Sequence, residues 1–446
     1  MDIRTQNFLI LGASKSGFAV AKHILEAGGE CSVLEELNTE KARLAINNLQ
    51  ELGAKCLDKA TVEQDLSKFD VLVLSPGVPI NHDIAVKAKK IGIRIIGELE
   101  FGFLRFVPPI IAVTGTNGKT TTVSLIADIL NNANIDNRLV GNVGIPITSE
   151  LPKLTPNTIC ITEVSSFQLE SVNSFLPHVA CILNITPDHL ERHYTMENYI
   201  FLKKRLLKNL RESEFAVLNF DDQTVKGFFS ETKAKVIWVS IHEIVDGAYL
   251  NNGNLYYKEQ MVISEKELRL KGEHNLYDVL FSIACACIMG VKVVDIREAL
   301  KNFKGVKHRI ELIRTKNGVE YFNDSKATNT ASSISAIKTM DKPTVLILGG
   351  SEKGEDYIDL FKTIKNCNVK HVVLTGASRY HMLEVAGKMS VENVTLTEDF
   401  SCAVKIANMF AENGDCVLLS PACASFDCFN GYEERGDKFI KLVGEL

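Results

Sequence analysis

The sequence predicts an α/β protein of three successive domains, each built on a largely parallel sheet. The chain has 446 residues, and domains of about 150 residues give a prior of roughly three. Short apolar strands alternate with helical stretches along the chain, which is typical of parallel sheets. Polar or glycine-rich segments follow these strands, and ligands of open α/β sheets bind outside the carboxyl ends of the strands.

The composition excludes several classes of protein. Hydrophobic residues make up 46%, charged residues 24% and aromatic residues 7% of the chain, which excludes a disordered or collagen-like protein. The formal net charge of −5 argues against a dedicated nucleic-acid binder, so we expect no nucleic-acid partner. The first apolar run, Phe8–Leu11, is short, and no uncharged stretch of about 18 residues occurs. We therefore expect a cytoplasmic protein that does not enter a membrane.

Residues 1–108 are predicted to form a Rossmann-like N-terminal domain. Strands are predicted at Phe8–Leu11, Cys31–Leu34 and Val71–Leu74, with a helix after the first of them. The short connections between these elements favour a parallel sheet. Two prolines, Pro108 and Pro109, end the segment because proline cannot continue a helix.

The turn at residues 12–17 suggests a dinucleotide site only weakly. It lacks the middle glycine of the G-x-G-x-x-G fingerprint and has Ser14 in its place. Glu35, at the end of the second strand, would be the ribose-binding acid of that fingerprint. A Rossmann-like domain that binds another nucleotide fits the pattern equally well.

Residues 109–305 are predicted to form the central domain, which opens with the strongest local motif of the chain. An apolar strand at residues 110–113 precedes a glycine-rich loop at residues 115–122, and a helix is predicted at residues 123–130. Such a loop directs backbone N–H groups at phosphate oxygens, while its lysine neutralises charge and its hydroxyl can ligate Mg²⁺. Val113 stands where the usual pattern has its first glycine, and a tight strand-to-helix turn is the alternative. We interpret the domain as P-loop ATPase-like.

Polar side chains follow two further apolar runs of this domain. Glu163 ends a strand, where a Mg²⁺ ligand is expected in a P-loop domain, although such acids also often cap helices. Asp188, His189 and Glu191 form a polar cluster that can ligate a hard cation or position a substrate. The basic run that begins at Lys203 is predicted, from its residues alone, to be a solvated helix face.

Residues 306–446 are predicted to form a second Rossmann-like domain and show the alternation most clearly. Its strands are predicted at residues 319–322, 345–348, 371–374, Val394–Leu396 and Cys416–Leu419. Polar segments follow four of the five strands, which indicates a ligand crevice at that edge of the sheet. Asn275, which precedes this domain, is predicted either to belong to a helix-capping turn or to contact a nucleotide. Arg309, next to a plausible hinge at Gly305, is either a surface residue or a phosphate ligand.

Several stretches together carry a resemblance that covers nearly the whole chain. They are residues 115–122, 163–169, 184–190, Tyr199 with Lys203, 272–275, 308–311 and 324–329. In them the chain resembles the Mur ligases, the ATP-dependent amino-acid-adding enzymes of bacterial peptidoglycan precursor synthesis. The string Ser-Pro-Ala-Cys-Ala-Ser-Phe-Asp-Cys-Phe at residues 420–429 resembles the branch of this family that adds D-glutamate. The resemblance therefore implies a ligase that serves cell-wall synthesis, and with it cell shape and division.

The resemblance implies a role for each matching position. The implied ATP contacts are Gly115, Thr116, Asn117, Gly118, Lys119, Thr120, Thr121, Asn275, Arg309 and Asp324. The implied catalytic residues are Lys119, Glu163, His189 and Lys203, and the implied Mg²⁺ ligands are Thr120, Glu163, His189 and Lys203 as a carbamate. The implied contacts of the UDP-linked substrate are Ser14, Lys15, Ser16, Glu35, Gly77, Asn142 and His189. The implied D-glutamate contacts are Lys326, Thr328, Lys353, Ser420 and Phe429.

The reaction that the resemblance implies joins two substrates at the expense of ATP. ATP would phosphorylate the L-alanyl carboxylate of UDP-N-acetylmuramoyl-L-alanine, because a free carboxylate is a poor acyl donor. The amine of D-glutamate would then attack the acyl phosphate and release phosphate. Two Mg²⁺ ions and a carbamylated lysine are implied, since an ammonium cannot bind Mg²⁺ whereas a carbamate supplies an anionic oxygen pair. The enzyme is expected to be a monomer.

Three other functions stay open at this point. A different Mur ligase or a folylpolyglutamate synthetase would share the ATP motifs, and the string at residues 420–429 argues against both. A nicotinamide-dependent dehydrogenase would rest on residues 12–17 and Glu35, and it leaves the phosphate loop unexplained. A non-catalytic nucleotide-binding protein would not need the metal-binding side chains of the central domain.

Overall fold

Three separate sheets organise the chain, and they confirm the predicted α/β class. The computed structural model describes residues 1–106, 108–270, 272–352, 354 and 356–446. These residues form two units: unit 1 contains residues 1–267 and 277–302, and unit 2 contains residues 268–276 and 303–446. Unit 1 holds the first two sheets and unit 2 holds the third. The domain boundaries at 108/109 and 305/306 stay predictions.

The first sheet is fully parallel, with the strand order β3-β2-β1-β4-β5. Its strands are β1 Phe8–Leu11, β2 Cys31–Leu34, β3 Lys55–Cys56, β4 Val71–Leu74 and β5 Arg94–Gly97. Its helices are α1 Lys15–Glu26, α2 Glu40–Glu51, α3 Lys59–Asp65, α4 Asp83–Lys90 and α5 Glu98–Arg105. Strands β1, β2 and β4 are buried throughout, as expected for a parallel sheet with helices on both faces. The segments that follow them therefore meet at one edge.

The second sheet has nine strands in the order β14-β13-β12-β11-β10-β9-β6-β8-β7. They are β6 Ile110–Thr114, β7 Asn137–Gly141, β8 Ile159–Glu163, β9 Val179–Ile182, β10 Phe215–Asn219, β11 Lys235–Ser240, β12 Gly247–Asn251, β13 Asn254–Tyr257 and β14 Gln260–Ser264. The helices are α6 Lys119–Asn132, α7 Ile147–Glu150, α8 Ser166–Leu169, α9 Leu190–His193, α10 Met196–Lys204, α11 Gln223–Lys226, α12 Glu273–Ile288 and α13 Val293–Asn302. Strand β6 lies between β8 and β9 and is parallel to both. The segments after these three strands are consequently neighbours.

The third sheet has six strands in the order β15-β16-β20-β17-β18-β19. They are β15 Glu311–Lys316, β16 Val319–Asn323, β17 Thr344–Gly349, β18 Val369–Thr375, β19 Val394–Leu396 and β20 Cys416–Leu419. The helices are α14 Thr330–Thr339, α15 Ile358–Asn366, α16 Arg379–Lys388, α17 Phe400–Phe410 and α18 Tyr432–Glu445. Separate apolar clusters cover the two faces of this sheet, so its ligand-binding groups are confined to an edge.

The structure differs from the sequence predictions at several elements. The meander β12–β14 and the antiparallel strand β15 were not predicted. Helix α6 begins at Lys119, four residues before the predicted start, because the phosphate loop itself turns into the helix. Helix α10 ends at Lys204, whereas the sequence pattern predicts a helix from Glu197 to Leu210. Within the part of the chain that the structure describes, no helix combines the length and the apolar character needed to span a bilayer.

Two buried carboxyl groups on α5 join the first two sheets within unit 1. Glu98 accepts hydrogen bonds at Oε1 from the backbone N–H and the hydroxyl of Thr148, at 2.8 Å each. Glu100 accepts three backbone N–H bonds, from Asn173 at 3.0 Å, Ser174 at 2.8 Å and Phe175 at 3.0 Å. Two opposite faces of helix α5 are therefore hydrogen-bonded to segments that connect the strands of the second sheet.

Candidate active site

The glycine-rich loop after β6 forms an anion-binding turn. Gly118, with φ of 86°, is the N-cap of α6, and Gly115 has φ of 157°. Both values lie in the region that favours glycine. A Cβ atom on Gly118 would also overlap the Asp278 carboxylate. The sequence therefore presents the backbone N–H groups at the start of α6 without side chains in front of them, as a phosphate site requires.

Two lysines converge on this loop. Lys119 Nζ donates to the carbonyl oxygens of Gly115 at 2.8 Å and Thr116 at 2.7 Å. Lys203 Nζ donates to the same Gly115 oxygen at 2.7 Å and lies 4.6 Å from the centre of the Tyr199 ring. The Lys119 ammonium makes the loop attractive to phosphate oxygens, and Lys203 brings a second side-chain nitrogen to the same carbonyl.

The prediction that the basic run at Lys203 is a solvated face is wrong for Lys203 itself. Its relative exposure is 1%. Burial, and then the charge of Lys119, hold the pKa of the Lys203 ammonium well below its usual range. Lys204, one residue later, points to the surface and pairs with Glu231 at 2.5 Å. Helix α10 therefore buries the Lys203 side chain beside the phosphate loop and directs the Lys204 side chain to the surface.

Glu163 lies beside the loop at the end of β8. Thr120 Oγ1 donates to Glu163 Oε2 and Asn142 Nδ2 donates to Glu163 Oε1, at 2.8 Å each. The carboxylate is buried, and no hydrogen-bond partner is found among the described residues for the buried hydroxyl group of Thr121, which follows Thr120 in the chain. Carboxylate and hydroxyl oxygens are the donors that Mg²⁺ prefers. The residues present therefore fit a magnesium ion.

The protein supplies only part of such a coordination shell. Among the described residues there is no group of three or more His, Cys, Asp or Glu side chains that could hold a metal ion by itself. Mg²⁺ commonly binds through one or two carboxylates together with water and substrate phosphates. The donor set at Glu163 and Thr120 is of this kind.

His189 lies after β9, on the other side of β6. It has φ of 54° and forms the N-cap of α9. Its Nδ1 lies 3.3 Å from Glu191 Oε1, and its Nε2 lies 3.7 Å from Asp188 Oδ2. About a third of the side chain is exposed, so the ring is accessible to a ligand. The structure thus places the predicted polar cluster at the same sheet edge as the phosphate loop.

A separate cavity of about 620 Å³ opens at the N-terminus of α1. Its lining includes Ser14, Lys15, Glu35, Leu37 and Leu44, together with Pro146 and Ser149 of the central sheet. Both Glu35 oxygens are engaged by backbone N–H groups, from Ala13 at 2.6 Å and from Leu37 at 2.8 Å. The carboxylate thereby fixes the turn that forms the cavity wall. The other predicted contacts do not line this cavity: Ser16, Gly77, Asn142 and His189.

In unit 2 the predicted residues gather after β16 and β20, which are adjacent parallel strands. Ser420 Oγ donates to Asp324 Oδ2 at 2.7 Å. Lys326 Nζ donates to the hydroxyl of Tyr432 at 2.8 Å, while the Phe429 ring packs edge-on against Phe400.

Of the remaining predicted residues of unit 2, Arg309 acts on this group through its charge. The positive charge of Arg309 acts on both Asp324 and His274, the neighbour of Asn275. Burial and Arg309 lower the pKa of His274 to about 4. Thr328 is partly buried. Lys353 lies outside the described residues.

Comparisons with known proteins cover the whole chain. The family model described as Mur ligase MurD-like, N-terminal domain, matches residues 6–97, the Mur ligase middle domain matches 113–286, and the Mur ligase glutamate ligase domain matches 308–423. The UDP-N-acetylmuramoylalanine–D-glutamate ligase of Caldanaerobacter subterraneus subsp. tengcongensis is 38% identical over 449 residues, with 100% of both chains covered. The chain belongs to the Mur ligase family.

Further relatives agree with this placement. The enzyme of the same name from Clostridioides difficile is 37% identical to this Mur ligase over 451 residues, again with 100% of both chains covered. The structure of UDP-N-acetylmuramate-alanine ligase from Thermotoga maritima superposes with a TM-score of 0.62 at 17% identity and 99% coverage of each chain. The MurF ligase of the same organism, in complex with ADP, has a TM-score of 0.62 at 16% identity, covering 93% of this chain and 95% of that one. These structures confirm the predicted three-domain fold.

Sequence reasoning missed two residues of this site. Asp278 accepts a hydrogen bond from Thr122 Oγ1 at 3.2 Å and lies against Gly118. It follows Asn275 by three residues on α12, and that helical spacing could have indicated it. Arg192 directly follows the predicted polar cluster, but no sequence pattern indicated its contacts to residues 76–78.

The buried Asp324 carboxyl makes the stability of this Mur ligase depend on pH. Burial raises its pKa to about 7, although Ser420 and Arg309 act in the opposite direction. The native state thus keeps a proton that the unfolded chain releases near pH 4, so stability is lost as the pH rises from about 4 to about 7. Between about pH 5 and about pH 8, we expect the wild type to lose about 2–3 kcal/mol more unfolding free energy than Asp324→Asn. Urea unfolding followed by circular dichroism measures this, and parallel pH profiles would contradict it.

Proposed function

We propose that this Mur ligase joins D-glutamate to UDP-N-acetylmuramoyl-L-alanine with hydrolysis of ATP, as a cytoplasmic monomer in peptidoglycan precursor synthesis. The observation that carries the proposal is the 37–38% identity, over the full length of both chains, to ligases named for these substrates. The convergence of Lys119, Lys203, Thr120 and Glu163 on one loop supports the ATP-dependent chemistry.

In the first step, the L-alanyl carboxylate attacks the γ-phosphorus of ATP, forming an acyl phosphate and ADP. The backbone N–H groups after Gly118 and the Lys119 ammonium hold the transferred phosphoryl group in line. Bound Mg²⁺ supplies charge neutralisation, with Thr120, Glu163, His189 and Lys203 as the residues that would hold it. Asn142 orients the Glu163 carboxylate through its hydrogen bond to Oε1. Asn275, Arg309 and Asp324 complete the proposed nucleotide contacts.

Lys203 enters this step as a carbamate. Its lowered pKa leaves a larger fraction of neutral amine, which is the form that attacks CO₂ and releases a proton. The product carries two oxygens in place of an ammonium. It therefore turns a buried cation, which repels Mg²⁺, into a ligand for it.

In the second step, the D-glutamate amine attacks the acyl carbon and phosphate leaves. D-glutamate brings two carboxylates, which suits the proposed pair Lys326 and Lys353. Thr328, Ser420 and the backbone of Phe429 are the other proposed contacts. The cavity at Ser14, Lys15 and Glu35 is proposed to hold the UDP moiety of the other substrate. Ser16 and Gly77, which do not line the cavity, are the further proposed contacts of that substrate.

A phosphate-release assay tests the proposal. The chain is incubated with ATP, Mg²⁺ and UDP-N-acetylmuramoyl-L-alanine, and D-glutamate is compared with L-glutamate, L-alanine and meso-diaminopimelate. Release with D-glutamate alone is the expected result. Release with another amino acid would assign the chain to a different branch of the Mur ligases, and no release with any of them would contradict the proposed acceptor.

A further inference from the structure

Arg192 connects three parts of unit 1 through one guanidinium group. Its Nε and Nη2 donate to the two carboxylate oxygens of Glu170, at 2.9 Å and 2.6 Å. The same group donates to the backbone oxygens of residues 76–78: Pro76 at 3.4 Å, Gly77 at 3.1 Å and Val78 at 3.3 Å. The side chain of Arg192 is 15% exposed and that of Glu170 is 8% exposed. A bidentate pair sheltered in this way is more rigid than a surface ion pair.

The helix that carries Arg192 begins and ends in strained backbone. α9 has only four residues, and the residues on either side of it, His189 and Tyr194, have φ of 54° and 67°. Such conformations cost about 1–3 kcal/mol each for non-glycine residues and persist only where the surroundings hold them. Arg192 and the buried His193, whose Nε2 lies 2.9 Å from Ser166 Oγ, are the anchors on this helix.

The Phe167 ring contacts both Arg192 and His189, so the anchoring of Arg192 also restrains His189. The Arg192 guanidinium carbon lies 4.6 Å from the centre of the Phe167 ring, and the Phe167 ring centre lies 4.9 Å from that of His189. Phe167 is therefore between the two side chains. Movement of Arg192 would free both the backbone and the ring of His189.

We propose that Arg192 is a positioning residue that couples the loop at residues 76–78, on the proposed UDP-substrate side, to His189 on the proposed metal side. The inference rests on the proposed function, since that function gives the two sides their ligands. Arg192 touches neither ligand directly. Its role is to hold both binding elements in one geometry, so that the substrate loop and the histidine are ordered together.

The test compares Arg192→Gln and Arg192→Lys with Arg211→Gln, a control at an exposed arginine of unit 1 that lies in the segment before β10. Lysine keeps the charge but cannot bridge a carboxylate and three carbonyls with a planar fork. For both Arg192 variants we expect the KM for UDP-N-acetylmuramoyl-L-alanine and the half-saturating Mg²⁺ concentration to rise roughly tenfold. The KM for ATP at saturating Mg²⁺, and every constant of Arg211→Gln, should stay within about twofold of wild type.

Two binding measurements do not depend on turnover. Calorimetric titration with UDP-N-acetylmuramoyl-L-alanine in the absence of ATP should show roughly tenfold weaker binding in Arg192→Gln. Mn²⁺ titration followed by electron paramagnetic resonance, with a non-hydrolysable ATP analogue, should show weaker metal binding in the same variant. A lower melting temperature with both affinities unchanged would overturn the proposal and leave Arg192 a purely structural residue.

Failure of the proposed function gives a different pattern. If the wild-type chain neither binds UDP-N-acetylmuramoyl-L-alanine nor turns over with D-glutamate, the proposed function is wrong. The Mn²⁺ titration still reports whether Arg192 orders His189. Glu170→Gln tests the coupling from the other side of the ion pair: it neutralises the partner of Arg192, which also contacts the Ile80 N–H and His193, and leaves the carbonyls of residues 76–78 in place. Unchanged Mn²⁺ binding in both Glu170→Gln and Arg192→Gln would overturn the coupling.

Discussion

Replacing Lys203 with alanine is expected to lower kcat by roughly a thousandfold or more. The side chain is 1% exposed and contacts the Gly115 carbonyl of the phosphate loop. In the variant, the proposed carbamate ligand is lost and the positively charged loop faces an empty, buried space. Steady-state phosphate release with saturating substrates measures the loss.

Rescue experiments separate the carbamate from a simple structural role. Small carboxylic acids such as formate or acetate fit the space left by the lysine side chain, and they supply the same anionic oxygens. We expect them to restore part of the activity of Lys203→Ala in a concentration-dependent way. The matched control is Lys204→Ala, which breaks only a surface pair with Glu231 and should change kcat less than about twofold. A Lys203→Ala chain with normal activity and normal Mg²⁺ dependence would exclude the proposed role.

The sequence predicted the parts of the fold that depend on local pattern. Strands such as β1 and β6 were predicted because apolar runs of this kind are buried on both faces of a parallel sheet and are followed directly by a glycine-rich turn. The phosphate loop was predictable for the same reason, since its glycines must follow such a strand directly. The meander β12–β14 was missed, although Asn252 and Gly253, both with positive φ, form the kind of two-residue turn that marks a hairpin.

The site residues that escaped prediction depend on contacts between distant parts of the chain. Lys203 belongs to a run of basic residues, which normally indicates an exposed face. Its burial follows from the orientation of α10, which turns Tyr199 and Lys203, four residues apart, toward the loop. The resemblance to the family identified Lys203, whereas residue patterning alone did not. Arg192 could not be predicted at all, because its partners at residues 76–78 are more than a hundred positions away.

The two glutamates of α5 are expected to respond very differently, in the size of the change in unfolding free energy, to the same conservative substitution. Glu100→Gln should lower the unfolding free energy of unit 1 by about 3–4 kcal/mol. Glu100 accepts three backbone N–H bonds, and an amide in its place turns one acceptor into a donor that faces those N–H groups. At least one of the three N–H groups then has no acceptor in the protein. Thermal and urea unfolding of both variants and the wild type measure the difference.

Glu98→Gln is the matched control, because the two residues share a helix, a charge and nearly complete burial. In the described part of the chain, the hydrogen bonds to Glu98 go to Oε1, while its buried Oε2 has no partner there, and burial raises the pKa of the carboxyl group. Glutamine keeps the accepting oxygen and removes a carboxyl group that is costly to ionise, so the change should stay within about 1 kcal/mol near neutral pH. Equal destabilisation by the two substitutions would mean that burial alone, and not the number of hydrogen bonds accepted, sets the contribution of each carboxyl group to the joint between the sheets.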